Sequence, residues 1–294
     1  TNNRPNLFLW TLWLGFVVFR VLQFAQSSEV LTMVDSGSYT EQANFSFFQI
    51  MAGHPVCYTA DFCIGRPFLV PLLYKILSLD PTLISLTQLG LSIVCWSFLA
   101  FSSIRIVSGF WLKLFSMTVL LGLGSVPNVT RWDRVLLSES LTISISALLI
   151  ASWIWMTRNS HWRKSDTILL IFSSFFFIGT RDSAVWVLIL LISLLILAAL
   201  RGINRKKALI SALSILVVCL YAFVVTGDRW KFPLSNVFFS RLLDNPQAVS
   251  FLEENGVPGF SELLPLRGET HLYGTFSFTS SQLGSRFFEW LSTE

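Results

Sequence analysis

Charge is what this sequence has least of. Asp, Glu, Lys and Arg make up only 13% of its 294 residues, against about 25% in soluble domains. Apolar residues reach 53% and the mean hydropathy is +0.64. An ordinary soluble domain is thereby excluded, and a polytopic membrane protein becomes the expectation. Cysteine is also thin, at four residues. Cys95 and Cys219 fall inside apolar runs and read as packing residues. Cys57 and Cys63 fall in a polar stretch where a bridge could equally form or not, and their pattern is too sparse for a metal site. There is no internal repeat, no low-complexity segment and no small-residue cleavage site after the first apolar run. The net charge of +4 needs no nucleic acid, because basic loops facing anionic lipid account for it.

What is present is a set of seven apolar segments separated by short polar ones. They are read as spans over Leu7–Ala25, Pro81–Phe101, Phe110–Leu123, Val135–Met156, Thr167–Gly179, Ser183–Leu200 and Ala208–Thr226. The expected fold is all-α, a polytopic bundle of about seven spans. A long, partly helical outer loop over 26–80 is expected inside a 1–226 module, followed by an extracytoplasmic tail over 227–294. The chain opens without Met and stops in a polar stretch, so further helices are expected to lie beyond the tail.

The positions of the charges orient this arrangement. With Thr1 inside, Arg4, Arg105, Lys113, Arg158, Arg163, Lys164, Arg201, Arg205, Lys206 and Lys207 all become cytoplasmic. Nearly every acid then lies outside, Asp166 being the clear exception. Trp111, Trp153, Trp155 and Trp162 fall at the inner boundary and Trp132 at the outer one, as aromatic belts do.

In the first outer loop, Ser38-Tyr39-Thr40-Glu41 has the spacing of a capping box and predicts a helix running through Phe48 to Met51. A turn-rich stretch over 53–65 follows. The segment from Arg66 to Leu77 is proline-broken and too short to span, so it is expected to lie along the membrane surface. In the tail, Asn245-Pro246 predicts a short helix ended by Gly256. The remainder, rich in Gly, Ser and Phe, reads as loop.

Three ionisable groups from distant parts of the chain meet the outer boundary. Asp35 follows the first span, Glu139 sits in the first turns of the fourth, and Arg181 lies in the turn after the fifth. Charges at membrane depth are costly and mark function. Each also has a plainer reading. Asp35 can be a helix cap, Glu139 can be stabilised by the dipole of its helix, and Arg181 can snorkel beside Asp182. Arg binds phosphate bidentately and keeps its charge. Arg66, Arg131 and Arg134 therefore compete with Arg181 as anion ligands, and Arg20 is expected to snorkel toward the same surface. His54 reads first as a solvated loop residue. Asn44-Phe45-Ser46 and Asn128-Val129-Thr130 match the glycan-acceptor pattern, which matters only in a eukaryotic secretory pathway.

Taken together, Asp35 with Tyr39, His54-Pro55, the Gly65-Arg66-Pro67 run leading to Pro71-Leu72-Leu73-Tyr74, Leu137-Ser138-Glu139-Ser140-Leu141 and Thr180-Arg181 resemble the GT-C glycosyltransferases. The resemblance covers roughly 1–226 and is nearest to uncharacterised bacterial members. The chain departs from protein mannosyltransferases in lacking an acidic pair beside Asp35, with Glu29 and Glu41 the nearest acids.

The resemblance implies a multi-pass protein of a bacterial plasma membrane, its N-terminus cytoplasmic and its active site outside. A sugar would pass from a polyprenyl-phosphate donor to the hydroxyl of an unidentified acceptor, with inversion. Asp35 is the implied base and Glu139 the implied orienting acid. Arg181 is the first choice for the phosphate, with Arg66, Arg131 and Arg134 behind it, and Tyr39 and His54 complete the substrate-binding set. The scheme calls for no cofactor and no metal. Membrane lipid is the expected surrounding partner, protein partners of a larger assembly are compatible with it, and the tail is expected to cover the site.

Two other functional classes stand beside this one. A transporter or flippase would place ionisable groups at mid-depth and repeat its broken helices, whereas here the span centres hold only Gln88 and the Ser and Thr residues of the fourth span. A non-catalytic membrane subunit would tolerate neutral residues at Asp35, Glu139 and Arg181.

Overall fold

The computed structural model describes residues 4–26, 29–33, 35–59, 62–158, 161–230, 238, 242–243, 245–257, 261 and 281–293. They form two compact units, Thr1–His54 with Arg66–Val225, and Pro55–Gly65 with Thr226–Glu294.

The named elements of the first unit are helices: α1 (Arg4–Ala25), α2 (Ser36–Ala43), α3 (Phe47–Met51), α4 (Leu69–Ile76), α5 (Pro81–Ser103), α6 (Phe110–Leu123), α7 (Pro127–Thr130), α8 (Glu139–Thr157), α9 (Lys164–Ile178), α10 (Ala184–Leu200) and α11 (Arg205–Thr226). A 3-10 turn, Arg131–Arg134, follows α7. Among the described residues, four helices are long and apolar enough to cross a membrane: Leu7–Ala25, Pro81–Ser103, Glu139–Thr157 and Arg205–Thr226. A fifth crossing arises if Phe110–Leu123 and Pro127–Arg134, bent by 50° at their junction, act as one.

Side-chain contacts give the direction of each helix. Phe8 meets Phe110 with ring centroids 6.3 Å apart, and Arg20 donates to the carbonyl of Gly124. Helices α1 and α6 therefore run side by side in one direction. Gln88 near the start of α5 reaches Leu137 just before α8, and Cys95 and Leu99 pack on Ala147 and Ala151, so α5 and α8 run together the other way. The Trp162 backbone before α9 donates to Asn204 after α10 at 3.2 Å, while Arg181 after α9 returns to Ser138. The helices alternate up and down. Arg105, Arg158, Arg163, Lys164, Arg201, Arg205, Lys206 and Lys207 consequently share one end, where Arg105 and Arg158 both lie over the Trp155 ring. Asp35, Asp133, Glu139 and Arg181 share the other.

Local chemistry sets the helix ends. Asp80 accepts from the amides of Thr82 and Leu83 at 2.8 and 3.1 Å and Pro81 opens α5, a strong N-terminus. The capping box lies at Ser46 and Gln49, not at Ser38 and Glu41. The single helix expected over this loop is therefore two. α2 begins at Ser36, with the Ser38 hydroxyl donating to the Asp35 carbonyl, and α3 begins at Phe47. The fourth span starts at Glu139 and not at Val135, because the backbone of Leu31 bridges Val135 and engages Arg134 and Leu136.

One close approach docks α4. The Leu69 amide donates to the Gly179 carbonyl at 2.9 Å, and a β-carbon on Gly179 would stand 2.6 Å from the Phe68 ring. That ring is already packed against Phe175 and Tyr221.

The second unit departs from the all-α expectation at one place. Val56–Thr59 and Phe62–Ile64 form a short antiparallel hairpin in the stretch read as turns, with Cys57 opposite Cys63. Cys57 is disulfide-bonded, while Cys95 and Cys219 are free and buried as expected of packing residues. A 3-10 turn covers Gly227–Trp230. The predicted tail helix is present as α12 (Pro246–Glu254), capped by the Asn245 side chain, with Gly256 at φ +68°. A further amphipathic helix, α13 (Gln282–Thr293), was not expected. Phe238, Leu243, Leu252, Val257 and Phe287 form the core of this unit. Most of the stretch read as Gly-, Ser- and Phe-rich loop lies outside the described residues.

Gly179→Ala is expected to cost about 1–3 kcal/mol by overpacking and to lower the thermal midpoint of the purified protein. An unchanged midpoint would contradict the docking of α4 on the end of α9.

Candidate functional site

The site is assembled on α2, the chain before α4, and the start of α8. Gln42, fully buried on α2, grips the backbone of Arg66 on both sides: its amide oxygen accepts from the Arg66 N–H at 2.9 Å and its amide nitrogen donates to the Arg66 carbonyl at 3.2 Å. The Arg66 side chain is thereby aimed back across α2. Its Nη2 donates to Asp35 Oδ1 at 2.7 Å and its Nε to Ser38 Oγ at 2.8 Å. The guanidinium carbon lies 4.8 Å from the centroid of the Tyr39 ring, a favourable cation–π position. The second arginine, Arg181, forms an ion pair with Glu139 and reaches Ser138 Oγ at 3.4 Å. Glu139 is the first residue of α8, where the helix dipole favours an acid. Its second oxygen, Oε2, is buried without a partner.

Tyr39 links the two pairs. It is buried beside Tyr74, with ring centroids 6.4 Å apart. Burial pushes its phenol above the ordinary range. Arg66 and a hydrogen bond with Ser138 pull it down, while Glu139 and Asp35 push it further up. One phenol thus feels both ion pairs, so Asp35, Tyr39, Arg66, Ser138, Glu139 and Arg181 form a single electrostatic cluster. Asp35 has a half-exposed side chain and Arg181 is nearly as open, whereas Arg66 and Glu139 are more enclosed. The arrangement offers an accessible carboxylate and an accessible guanidinium, each held by a less accessible partner of opposite charge.

The other candidates fall elsewhere. The His54 ring packs edge-to-face on Phe45 at 5.5 Å. Arg134 donates to the carbonyls of Gln23 and Phe24 at the end of α1 and lies over the Phe24 ring. Its guanidinium caps that helix. Arg131 lies exposed over Trp132. Together with Arg20, the two line a separate small cavity. Among the described residues no group of three or more His, Cys, Asp or Glu is arranged to hold a metal ion.

Two positions require correction or addition. Arg20 does not snorkel: it is 1% exposed and forms an ion pair with Asp133, also 1% exposed, while donating to Ser92 Oγ at 3.0 Å and to the Gly124 carbonyl. Ser140 Oγ completes the network by donating to Asp133 Oδ1 at 2.8 Å. An arginine inside the first apolar run was the signal that a partner had to exist, whereas Asp133, lying between Arg131 and Arg134, was not conspicuous. Gln42 and Ser138, which orient the two arginines, carried no comparable signal.

No family model, no curated protein and no solved structure matches this chain.

Two predictions follow from these contacts. Arg20→Met alone strands a buried carboxylate and is expected to destabilise the fold by about 3–5 kcal/mol, with Arg20→Met/Asp133→Leu recovering most of it. A double variant no better than the single one would contradict a paired network. For Tyr39, the folded value exceeds the unfolded one near 10, so the folded state retains its proton longer. This contribution to stability is constant below about pH 10 and falls above it. Tyr39→Phe should flatten that alkaline loss in denaturation measured against pH, and an unchanged slope would count against it.

Proposed function

We propose that the chain is a membrane glycosyltransferase of the GT-C type, taking a sugar from a polyprenyl-phosphate donor on the extracytoplasmic side. The observation that carries the reading is the convergence of the Asp35–Arg66 and Glu139–Arg181 pairs on Tyr39 and Ser138. These residues come from separate parts of the chain and meet at the end of the bundle opposite the basic residues.

Seven crossings are proposed, with α6, α9 and α10 included. Their 14, 15 and 17 residues span about 21–26 Å as ideal helices. The adjoining turns make up the remainder of a hydrocarbon layer of ~30 Å. The positive-inside rule then places the basic end in the cytoplasm and the cluster outside, consistent with a bacterial plasma membrane.

In the reaction, the acceptor oxygen bonds to the anomeric carbon as the bond from that carbon to the phosphate oxygen breaks. Asp35 takes the hydroxyl proton. Polyprenyl phosphate leaves with its charge, and a cation stabilises it as it develops. Arg181 supplies that cation, exchanging one oxygen of Glu139 for the phosphate. Arg66 holds Asp35 in place, and Glu139 retains Arg181 until donor arrives. The displacement inverts the anomeric centre. A transporter reading draws on one observation, the 50° break between α6 and α7, since broken helices build transporter sites.

Labelled-sugar transfer from a panel of polyprenyl-phosphate donors, in lipid-reconstituted protein, tests the reading. Wild-type transfer that falls by about 10²–10⁴-fold in Asp35→Asn is expected for a lost general base. Equal transfer by both would remove Asp35 as base. Movement of the intact lipid-linked sugar across the bilayer, without transfer, would favour transport.

A further inference from the structure

A second feature lies along α1 and rests on the membrane reading alone. Between α1 and α6 runs a groove of about 470 Å³ with mainly apolar walls, bordered by Phe8, Leu12, Phe16 and Phe19 on one side and Leu121 on the other. Its floor is opened by two glycines, Gly15 and Gly122, and a β-carbon on either would meet nothing within 4 Å. From Phe8 to Phe19 the groove follows α1 for about 17 Å, close to one leaflet's share of a hydrocarbon layer of ~30 Å.

Farther along α1, where α7 and the turn after it take the place of α6, lies a polar cavity of about 190 Å³, walled by Arg20, Gln23, Thr130, Arg131, Asp133 and Arg134. The apolar wall ends at Phe19 and Ser125, and the polar wall begins at Arg20 and Pro127. Three arginines face one aspartate there. Two polar atoms in this wall are buried and unpaired, Nε of Arg20 and Oε1 of Gln23. Arg20 itself is 1% exposed. Leaving such atoms without a partner is costly, and a bound group that hydrogen-bonds them removes the cost. Arg131 adds an exposed guanidinium whose described contact is the Trp132 ring.

We propose that this groove and cavity bind one anionic glycerophospholipid. Its phosphate lies against Arg20 and Arg131, a hydroxyl of its head donates to Gln23, and one acyl chain lies along Gly15 and Gly122. The site is separate from the Asp35 and Glu139 cluster. Arg134 frames the cavity but is already committed to the carbonyls that end α1. The chemistry selects a lipid over a free anion because the apolar groove and the charged cavity follow one another along α1. It selects an anionic head over a zwitterionic one because the cavity carries excess positive charge.

The test is native mass spectrometry of the full purified chain titrated with phosphatidylglycerol and with phosphatidylcholine. The wild type should hold phosphatidylglycerol about fivefold or more tightly, as one arginine near the surface supplies. Arg131→Gln should remove most of that preference. Gly15→Leu and Gly122→Leu, which fill open space, should weaken both lipids about fivefold or more while keeping the preference, as loss of buried chain predicts. Equal retention of the two lipids by wild type would overturn the proposal, as would binding unchanged in both glycine variants. Displacement of phosphatidylglycerol by inorganic phosphate would reduce the site to a simple anion pocket. Tighter binding of a polyprenyl phosphate than of phosphatidylglycerol would assign the groove to the donor and also refute it.

Discussion

A buried charge in an apolar bundle has to be answered by an opposite charge, and in this protein that requirement falls on Arg20 and Asp133. Arg20 sits in the long apolar helix α1 and is almost wholly buried. Its guanidinium reaches Asp133, Ser92 and the Gly124 carbonyl, so one side chain joins α1, α5, the end of α6 and the turn before α8. Ion pairs of this kind add little net stability, but breaking one is expensive. α6 ends where Arg20 donates to the Gly124 carbonyl, and the chain bends there by 50°. Asp133 is then held against Ser140, which places the first turn of α8.

The cluster around Tyr39 inherits its geometry from that arrangement. Val135 is extended, the backbone of Arg134 and Leu136 is laced to Leu31, and the bends over 136–138 are not helical. This brings Ser138 and Glu139 beside the segment that leads into Asp35. On the far side, the contact of Leu69 with Gly179 brings the end of α9, and hence Arg181, to the same place. Gln42 fixes Arg66 between them. Each charged group of the cluster is thus placed by backbone contacts made elsewhere, as a preorganised site requires.

Much of this was legible in the sequence, for identifiable reasons. Apolar length marks α1, α5, α8 and α11 directly, and the clean Asp80-Pro81 and Asn245-Pro246 starts are local signals that act within one turn. Asp35, Glu139 and Arg181 could be singled out because a charge beside an apolar run is conspicuous. Their pairing was not legible: whether Arg66 meets Asp35 depends on a Gln42 side chain with no distinguishing context. The loop helix was misread because Ser38 and Ser46 both head plausible capping boxes, and the choice falls to Ser46 once Ser38 bonds back to Asp35. Arg20 and Asp133 were read singly, as a snorkelling base and an unremarked acid, since periodicity says nothing about which spans are neighbours. The hairpin around Cys57 lay in a stretch whose turn residues concealed its two short strands.

The functional account stands or falls on where a donor's phosphate binds. An experimental structure of the reconstituted protein with a polyprenyl-phosphate sugar would decide it most directly. The account predicts the phosphate within hydrogen-bonding distance of Arg181, that arginine drawn from Glu139, and the sugar's anomeric carbon facing Asp35. A phosphate bound elsewhere, with both the Asp35–Arg66 and Glu139–Arg181 pairs intact, would contradict it.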